Sequence, residues 1–132
     1  MSELLPLRGD QAVLYGVQVV YSFEIGGSET LALRLAGALD EPSSRWGLIS
    51  TRSTDGPISA QARRLGLTTE WLDLEGVGRF SRLPRLLRLA RWLRARKVQV
   101  AHVHHLMSLR DIYLALRLGG VKKIVLTEHS AE

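Results

Sequence analysis

The sequence predicts an α/β fold: a doubly wound parallel sheet of about five strands, order 3-2-1-4-5, with helices on both faces. Three observations predict it. Short apolar runs alternate with longer segments of helical periodicity along the whole chain, the pattern of parallel strands joined by crossover helices. Runs such as Ala12 to Val20 are apolar at nearly every position, as strands buried on both faces are. Glycine pairs, Gly26-Gly27 and Gly119-Gly120, mark the junctions. Right-handed crossovers then leave few topologies, and 3-2-1-4-5 is the commonest.

The elements follow in order. Residues 1–11 carry Glu3, Pro6 and Asp10 and read as an extension; the folded domain is predicted over 12–132. Ala12 to Val20 is the first strand. Ser28 is a suitable N-cap for the next helix, Glu29 sits where the helix dipole favours a carboxylate, and Leu31, Leu35, Ala36 and Leu39 recur at helical spacing. Trp46 to Thr51 is the second strand. Ile58, Ala62 and Leu65 predict a short helix closed by Gly66, and Thr68 to Leu74 a third strand. Ser81 is a candidate cap for a strong helix with Pro84 in its first turn and Leu83, Leu86, Leu87, Ala90 and Leu93 on its core face. Val98 to Val103 is the fourth strand. Ser108 and Asp111 have capping-box spacing for a helix that stops at Gly119-Gly120, and Ile124 to Thr127 is the fifth strand.

With 132 residues, 45% apolar and 23% charged, the chain can build one real core. The absence of cysteine excludes a disulfide scaffold and cysteine catalysis. No window reaches the roughly eighteen apolar residues of a membrane span, and no signal-peptide pattern opens the chain, so a cytoplasmic location is expected, at most peripheral to a membrane. The net charge of +5 is concentrated: Gly76 to Arg110 holds no acid but nine basic residues. On a helical wheel Arg85, Arg88 and Arg91 lie opposite the leucines with Trp92 among them, a face an anionic membrane surface attracts; the competing reading is a solvated face whose Trp92 packs on a neighbour.

Two turns carry the chemistry. Two glycines at a strand-to-helix junction let backbone approach a ligand, and the free N–H groups of the first helical turn suit a phosphate or sugar hydroxyl. The simpler reading is a tight turn. In the predicted topology the first and fourth strands are neighbours at the switch point, so Gly26-Gly27 and His104 share one rim. His102 shares the face of His104 but is expected deeper and structural, and His105 points the other way. The histidines present no carboxylate at ligand spacing, so no metal site is expected.

These pieces, in order, resemble a known family: Val13-Leu14-Tyr15, then Gly26-Gly27-Ser28-Glu29, Leu33-Arg34-Leu35-Ala36, Ala62-Arg63-Arg64-Leu65-Gly66-Leu67, Val100-Ala101-His102-Val103-His104, Leu118-Gly119-Gly120, and Thr127-Glu128-His129-Ser130. The chain resembles the Rossmann-like N-terminal domain of GT-B glycosyltransferases of the family 4 type. The resemblance implies transfer of a sugar, with retention, from a nucleotide-sugar donor to a glycan or lipid acceptor, with no cofactor and no catalytic metal. It places Gly26 and Gly27 near the donor phosphate, His104 as the catalytic residue near the donor sugar, and Glu128 and His129 in a second contact region; Glu24, in the glycine-bearing loop, is an acceptor-hydroxyl candidate. The family's second, nucleotide-binding domain with its spaced glutamates has no counterpart here. The expectation is therefore a fragment, a truncated product or half of a split enzyme, inactive unless a C-terminal domain or partner chain completes it. Competing readings are an interaction module without a ligand, a nonspecific nucleic-acid binder using the arginines, and a nicotinamide dehydrogenase, the last disfavoured by the lack of G-x-G-x-x-G.

Overall fold

The computed structural model describes residues 13–52 and 54–128. Among them strands and helices alternate: β1 (Leu14–Val20), α1 (Gly27–Leu39), β2 (Ser44–Ser50), α2 (Pro57–Arg64), β3 (Thr68–Trp71), α3 (Arg79–Ala95), β4 (Val100–Val103), α4 (Leu106–Leu118) and β5 (Lys123–Leu126). The sheet is parallel throughout, in the order β3-β2-β1-β4-β5 that the alternation predicted. The expected N-terminal extension and His129 lie outside the described residues.

The reversal of strand order at β1/β4 divides the helices between the faces. Moving from β1 to β3 with right-handed crossovers puts α1 and α2 on one side; moving from β3 to β5 puts α3 and α4 on the other. Val17 and Val19 of β1 and Ala101 and Val103 of β4 pack with Leu89, Leu93, Ile112 and Leu116 on the α3/α4 side. Val20, Trp46 and Leu48 pack with Ala32, Leu33, Ala36, Ile58 and Ala62 on the α1/α2 side. Each fully buried leucine or isoleucine, Leu48 and Ile49 among them, contributes about 1.5–3 kcal/mol of transfer free energy. Gly16 in β1 makes room for the Trp46 ring, which lies over the strand: a Cβ there would stand 2.6 Å from it and force it to shift.

Several boundaries differ from expectation. α1 is capped by Gly26 rather than Ser28, because extended backbone at Gly26 already turns the chain; Ser28 instead donates to Glu29 Oε1 at 3.3 Å. β3 ends at Trp71, since Asp73 takes a left-handed conformation (φ 55°), yet Leu72 and Leu74 remain buried. α3 starts at Arg79 behind Gly78, not at Ser81, so Pro84 falls inside the helix and leaves the Phe80 carbonyl without its helical donor. α4 starts at Leu106, two residues before Ser108. The Leu106 N–H is capped from across the sheet edge by Glu128 Oε1 at 3.1 Å, a long-range partner that local spacing does not reveal. Gly66 (φ 80°) and Gly120 (φ 84°) do close α2 and α4 as expected.

Candidate functional site

The two chemistry-bearing turns leave the same edge of the sheet from hydrogen-bonded neighbours. β1 and β4 run in register, with Gln18 opposite His102 and Val19 opposite Val103. Immediately beyond, the His104 N–H donates to the Val19 carbonyl at 3.0 Å, which stitches the histidine turn to the last residues of β1. β1 then passes through Tyr21 to Gly26 into α1. Phe23, fully buried, anchors this turn, and its carbonyl accepts the Ile58 N–H at 2.9 Å.

The glycine turn is open. The first helical bond of α1 is Thr30 N–H to Gly26 O at 2.9 Å, so the amides of Gly27, Ser28 and Glu29 precede the ladder. A Cβ at Gly27 would meet nothing within 4 Å. At Gly26 it would collide with Glu29 Oε1, because that carboxylate folds back over the helix start. The helix terminus can thus receive an anion, and Glu29 is the internal anion that meets it first. Glu24 is exposed beside it, on the solvent side of the turn.

The histidine turn is closed. His104 is fully buried, and its Nε2 lies 2.6 Å from Gln18 Oε1. An amide oxygen only accepts, so with this amide orientation Nε2 carries the proton. The Gln18 amide nitrogen, also buried, finds no hydrogen-bond partner among the described residues. The expectation that His102 lies deeper is corrected. His102 is half-buried on the α1/α2 side near the edge strand, bonded to Thr127 Oγ1 at 2.8 Å, while its ring stacks at 4.2 Å on that of His104. β4 and β5 carry no helix on that face among the described residues, whereas His104 is shut in beside β1. His105 is the backbone N-cap of α4, with its ring 6.1 Å from Tyr21. Glu128 caps α4, as above. Among the described residues no group of three or more His, Asp or Glu is placed to hold a metal.

The same rim carries an ion cluster. Asp111, expected in a capping box with Ser108, is in the second turn of α4, its carboxylate 7% exposed. It accepts two bonds from Arg52, at 2.8 and 3.2 Å, and one from Arg82 at 3.2 Å. The hydrogen bonds to Asp111 hold the Arg52 guanidinium above its ordinary pKa, against the opposing effect of burial. Ser108 is buried with its Oγ 3.5 Å from Thr51 Oγ1. This cluster ties the end of β2, the start of α3 and α4 together beneath the candidate site.

The basic helix is corrected in detail. Leu86, Leu89, Ala90 and Leu93 face the core, while Leu83 and Leu87 point outward. Trp92 packs against the core, with Arg96 stacked 4.4 Å over its ring, so it is not an exposed membrane anchor. Arg85 donates to the Leu72 and Asp73 carbonyls and Arg88 to the Trp71 carbonyl; both close the ragged end of β3. Of the four expected membrane-facing residues, only Arg91 projects into solvent with no hydrogen bond or ion pair among the described residues. A cavity of about 160 Å³ lined by Gly16, Trp46, Thr68, Trp92 and Val98 lies at the amino ends of the strands, away from the site.

A family model, Glycosyltransferase Family 4, matches residues 25–132, from the glycine turn to the last residue of the sequence. The chain belongs to glycosyltransferase family 4. No match was found among curated proteins. Among solved structures this family 4 domain is similar to Acinetobacter baumannii MurG, with a TM-score of 0.64 and 18% identity over 87% of the chain. The match covers 35% of the MurG chain, so the domain spans about a third of that protein's length. It is also similar to the C-terminal domain of a Pyrococcus furiosus hydrogenase, with a TM-score of 0.52 and 11% identity over 96% of the chain and 99% of that domain. At such identities these likenesses concern the fold alone.

Sequence reasoning passed over Gln18, Thr127 and the Arg52–Asp111–Arg82 cluster. Gln18 had a signal: it is the one polar residue in the run Gly16-Val17-Gln18-Val19-Val20. The ion cluster had none, because its members are separated by up to fifty-nine positions.

Proposed function

We propose that this family 4 domain is the acceptor-side half of a retaining GT-B glycosyltransferase that takes a nucleotide sugar as donor and a glycan or lipid-linked sugar as acceptor. One observation carries the reading: the open start of α1 at Gly26-Gly27 and the His104 turn emerge together where β1 and β4 lie side by side. Such a switch-point crevice is where α/β sheets bind ligands. In this reading the free amides at Gly27 and Ser28 meet the donor phosphate, which displaces the Glu29 carboxylate. Glu24 and Glu128 border the acceptor side, and His129 is a further candidate contact of the same region. His104 approaches the donor sugar, and its enclosed ring has to become accessible when the donor enters. Gln18 Oε1 holds the Nε2–H tautomer, leaving Nδ1 as the acceptor nitrogen. The domain supplies orientation and charge stabilisation, and a second domain supplies the nucleotide site, so residues 1–132 by themselves are expected to transfer no sugar.

The test is amide NMR of the labelled chain titrated with a panel of nucleotide sugars. The expected result is weak binding with shifts at Gly26, Gly27, Ser28 and His104, and no sugar transfer. Shifts confined to the opposite edge, or no shifts with any donor, would overturn the site. Turnover by the chain alone would overturn the half-enzyme reading.

A further inference from the structure

The cavity at the amino ends of the strands has no part in the sugar-transfer reading. Its place follows from the strand register. Val17, Gly47 and Thr68 form one row across β1, β2 and β3, and Tyr15 and Arg45 form the next row outward. Residues directly opposite one another share a face, and Tyr15 and Val17 pack on the α3/α4 side, so both rows belong to that face. The middle of the inner row carries no side chain: a Cβ at Gly47 would stand 2.9 Å from the Thr68 carbonyl oxygen. Trp92 and Arg96, four residues apart, line the same space from the end of α3.

The lining combines aromatic rings with cations and contains no acid. Tyr15 and Trp92 are half-buried, whereas Arg45 and Arg96 are exposed and form the mouth. Arg45 is held by Asp40 through Nε at 2.9 Å and Nη2 at 3.2 Å, which leaves Nη1 without a bond among the described residues. Arg96 is held by its stacking on Trp92, and its side chain makes no ion pair or hydrogen bond among the described residues. Two guanidinium groups are thus fixed in place with donors to spare. A second hollow, of about 630 Å³, shares Tyr15 and Arg96 and adds Lys97. Lys97 takes the left-handed conformation (φ 55°) that usually falls to glycine after a helix. The first cavity, about 160 Å³, matches the roughly 150 Å³ that admits one benzene ring.

We propose that this cavity binds a monocyclic aromatic anion. The ring lies over Gly47 against the Tyr15 and Trp92 side chains, and its carboxylate or phosphate group accepts hydrogen bonds from Arg45 Nη1 and the Arg96 guanidinium. Lys97 adds positive charge at the same rim. A neutral ring gains only the apolar contact, and a cation is repelled. The cavity and the Gly26-Gly27 turn stand at opposite ends of the strands, so binding at one is read separately from binding at the other. The proposal does not depend on sugar transfer.

The experiment is NMR titration of the labelled full chain with benzoate and with phenyl phosphate, reading backbone amides and the tryptophan indole N–H groups. Benzyl alcohol serves as the neutral ring and acetate as the anion without a ring. Saturable shifts are expected at Gly47, Thr68, Val98 and the Trp92 indole, with a dissociation constant of about 1 mM or below for either aryl anion. Both control compounds bind at least severalfold more weakly, and raising the salt weakens the aryl anions. Arg96→Gln lowers their affinity severalfold. Thr68→Phe places a ring in the cavity and abolishes binding. Arg96 and Thr68 are exposed, so circular dichroism of each variant should match the parent. No saturable shift with either aryl anion, equal affinity for benzyl alcohol, shifts centred on Gly26 and Gly27 instead, or undiminished binding by Arg96→Gln combined with Thr68→Phe overturns the proposal.

Discussion

Removing the charge of Asp111 tests the architecture of the rim directly. Asp111→Asn keeps the shape of the side chain but takes the shared counter-ion from two guanidinium groups, 17% and 25% exposed, leaving Arg52 only the more distant, exposed Glu75 at 3.9 Å. An opposite-charge pair near 4 Å attracts by about 4 kcal/mol at an effective dielectric of about 20. Desolvation of Arg52 already offsets part of that, and the asparagine oxygen still accepts one bond. Removing one partner of a largely buried pair costs about 3–5 kcal/mol, and partial exposure of the arginines argues for the lower end, about 3 kcal/mol. For a domain of this size that is roughly a 10 °C fall in Tm. Urea denaturation gives the free energy and differential scanning calorimetry the Tm. Because the folded-state pKa of Arg52 is raised, its stabilisation is complete below the unfolded value and is lost only in strong alkali. The deficit should therefore be constant across the neutral range. In an Arg52→Met background the Asp111→Asn cost should shrink, since one stranded charge is gone. A loss under about 1 kcal/mol, or equal losses in both backgrounds, would refute the idea that this cluster holds α3, α4 and β2 together.

Other outcomes follow from single positions. Gly27→Ala places a Cβ in open space at the first helical residue, so stability should rise by about 0.5 kcal/mol while nucleotide-sugar shifts diminish; the two readouts separate folding from phosphate approach. Glu29→Gln should tighten binding of the nucleotide sugar in the same NMR titration, because a carboxylate no longer competes at the helix start. Gly16→Ala should cost about 1–3 kcal/mol in urea melts, since the Trp46 ring has to move. Asp55 is held below the ordinary carboxylate value, first by its bonds to Arg63 and then by Ser59. Its stabilising effect is thus complete above the unfolded value and lost as pH falls through the folded one, and Arg63→Gln should move the Asp55 midpoint upward in a carboxyl NMR titration.

The amino-acid sequence alone determined the alternation of strands and helices, the strand order and the shared edge of the Gly26-Gly27 and His104 turns. Those follow from local periodicity and from the single handedness of parallel crossovers. The helix ends closed by Gly66 and Gly120 were legible for the same reason, since the backbone there takes a conformation only glycine adopts freely. Only the tertiary structure decided which side of the arginine helix faces inward. Leucines at 83, 86, 87, 89 and 93 surround much of its circumference, so periodicity cannot choose, and packing against β1 and β4 turned Leu89 in and Leu83 out. It likewise decided that His104 is enclosed by Gln18 and that Asp111 serves two arginines rather than a helix cap. A buried polar group takes whichever partner the fold brings within reach, and that partner stands far away in the chain.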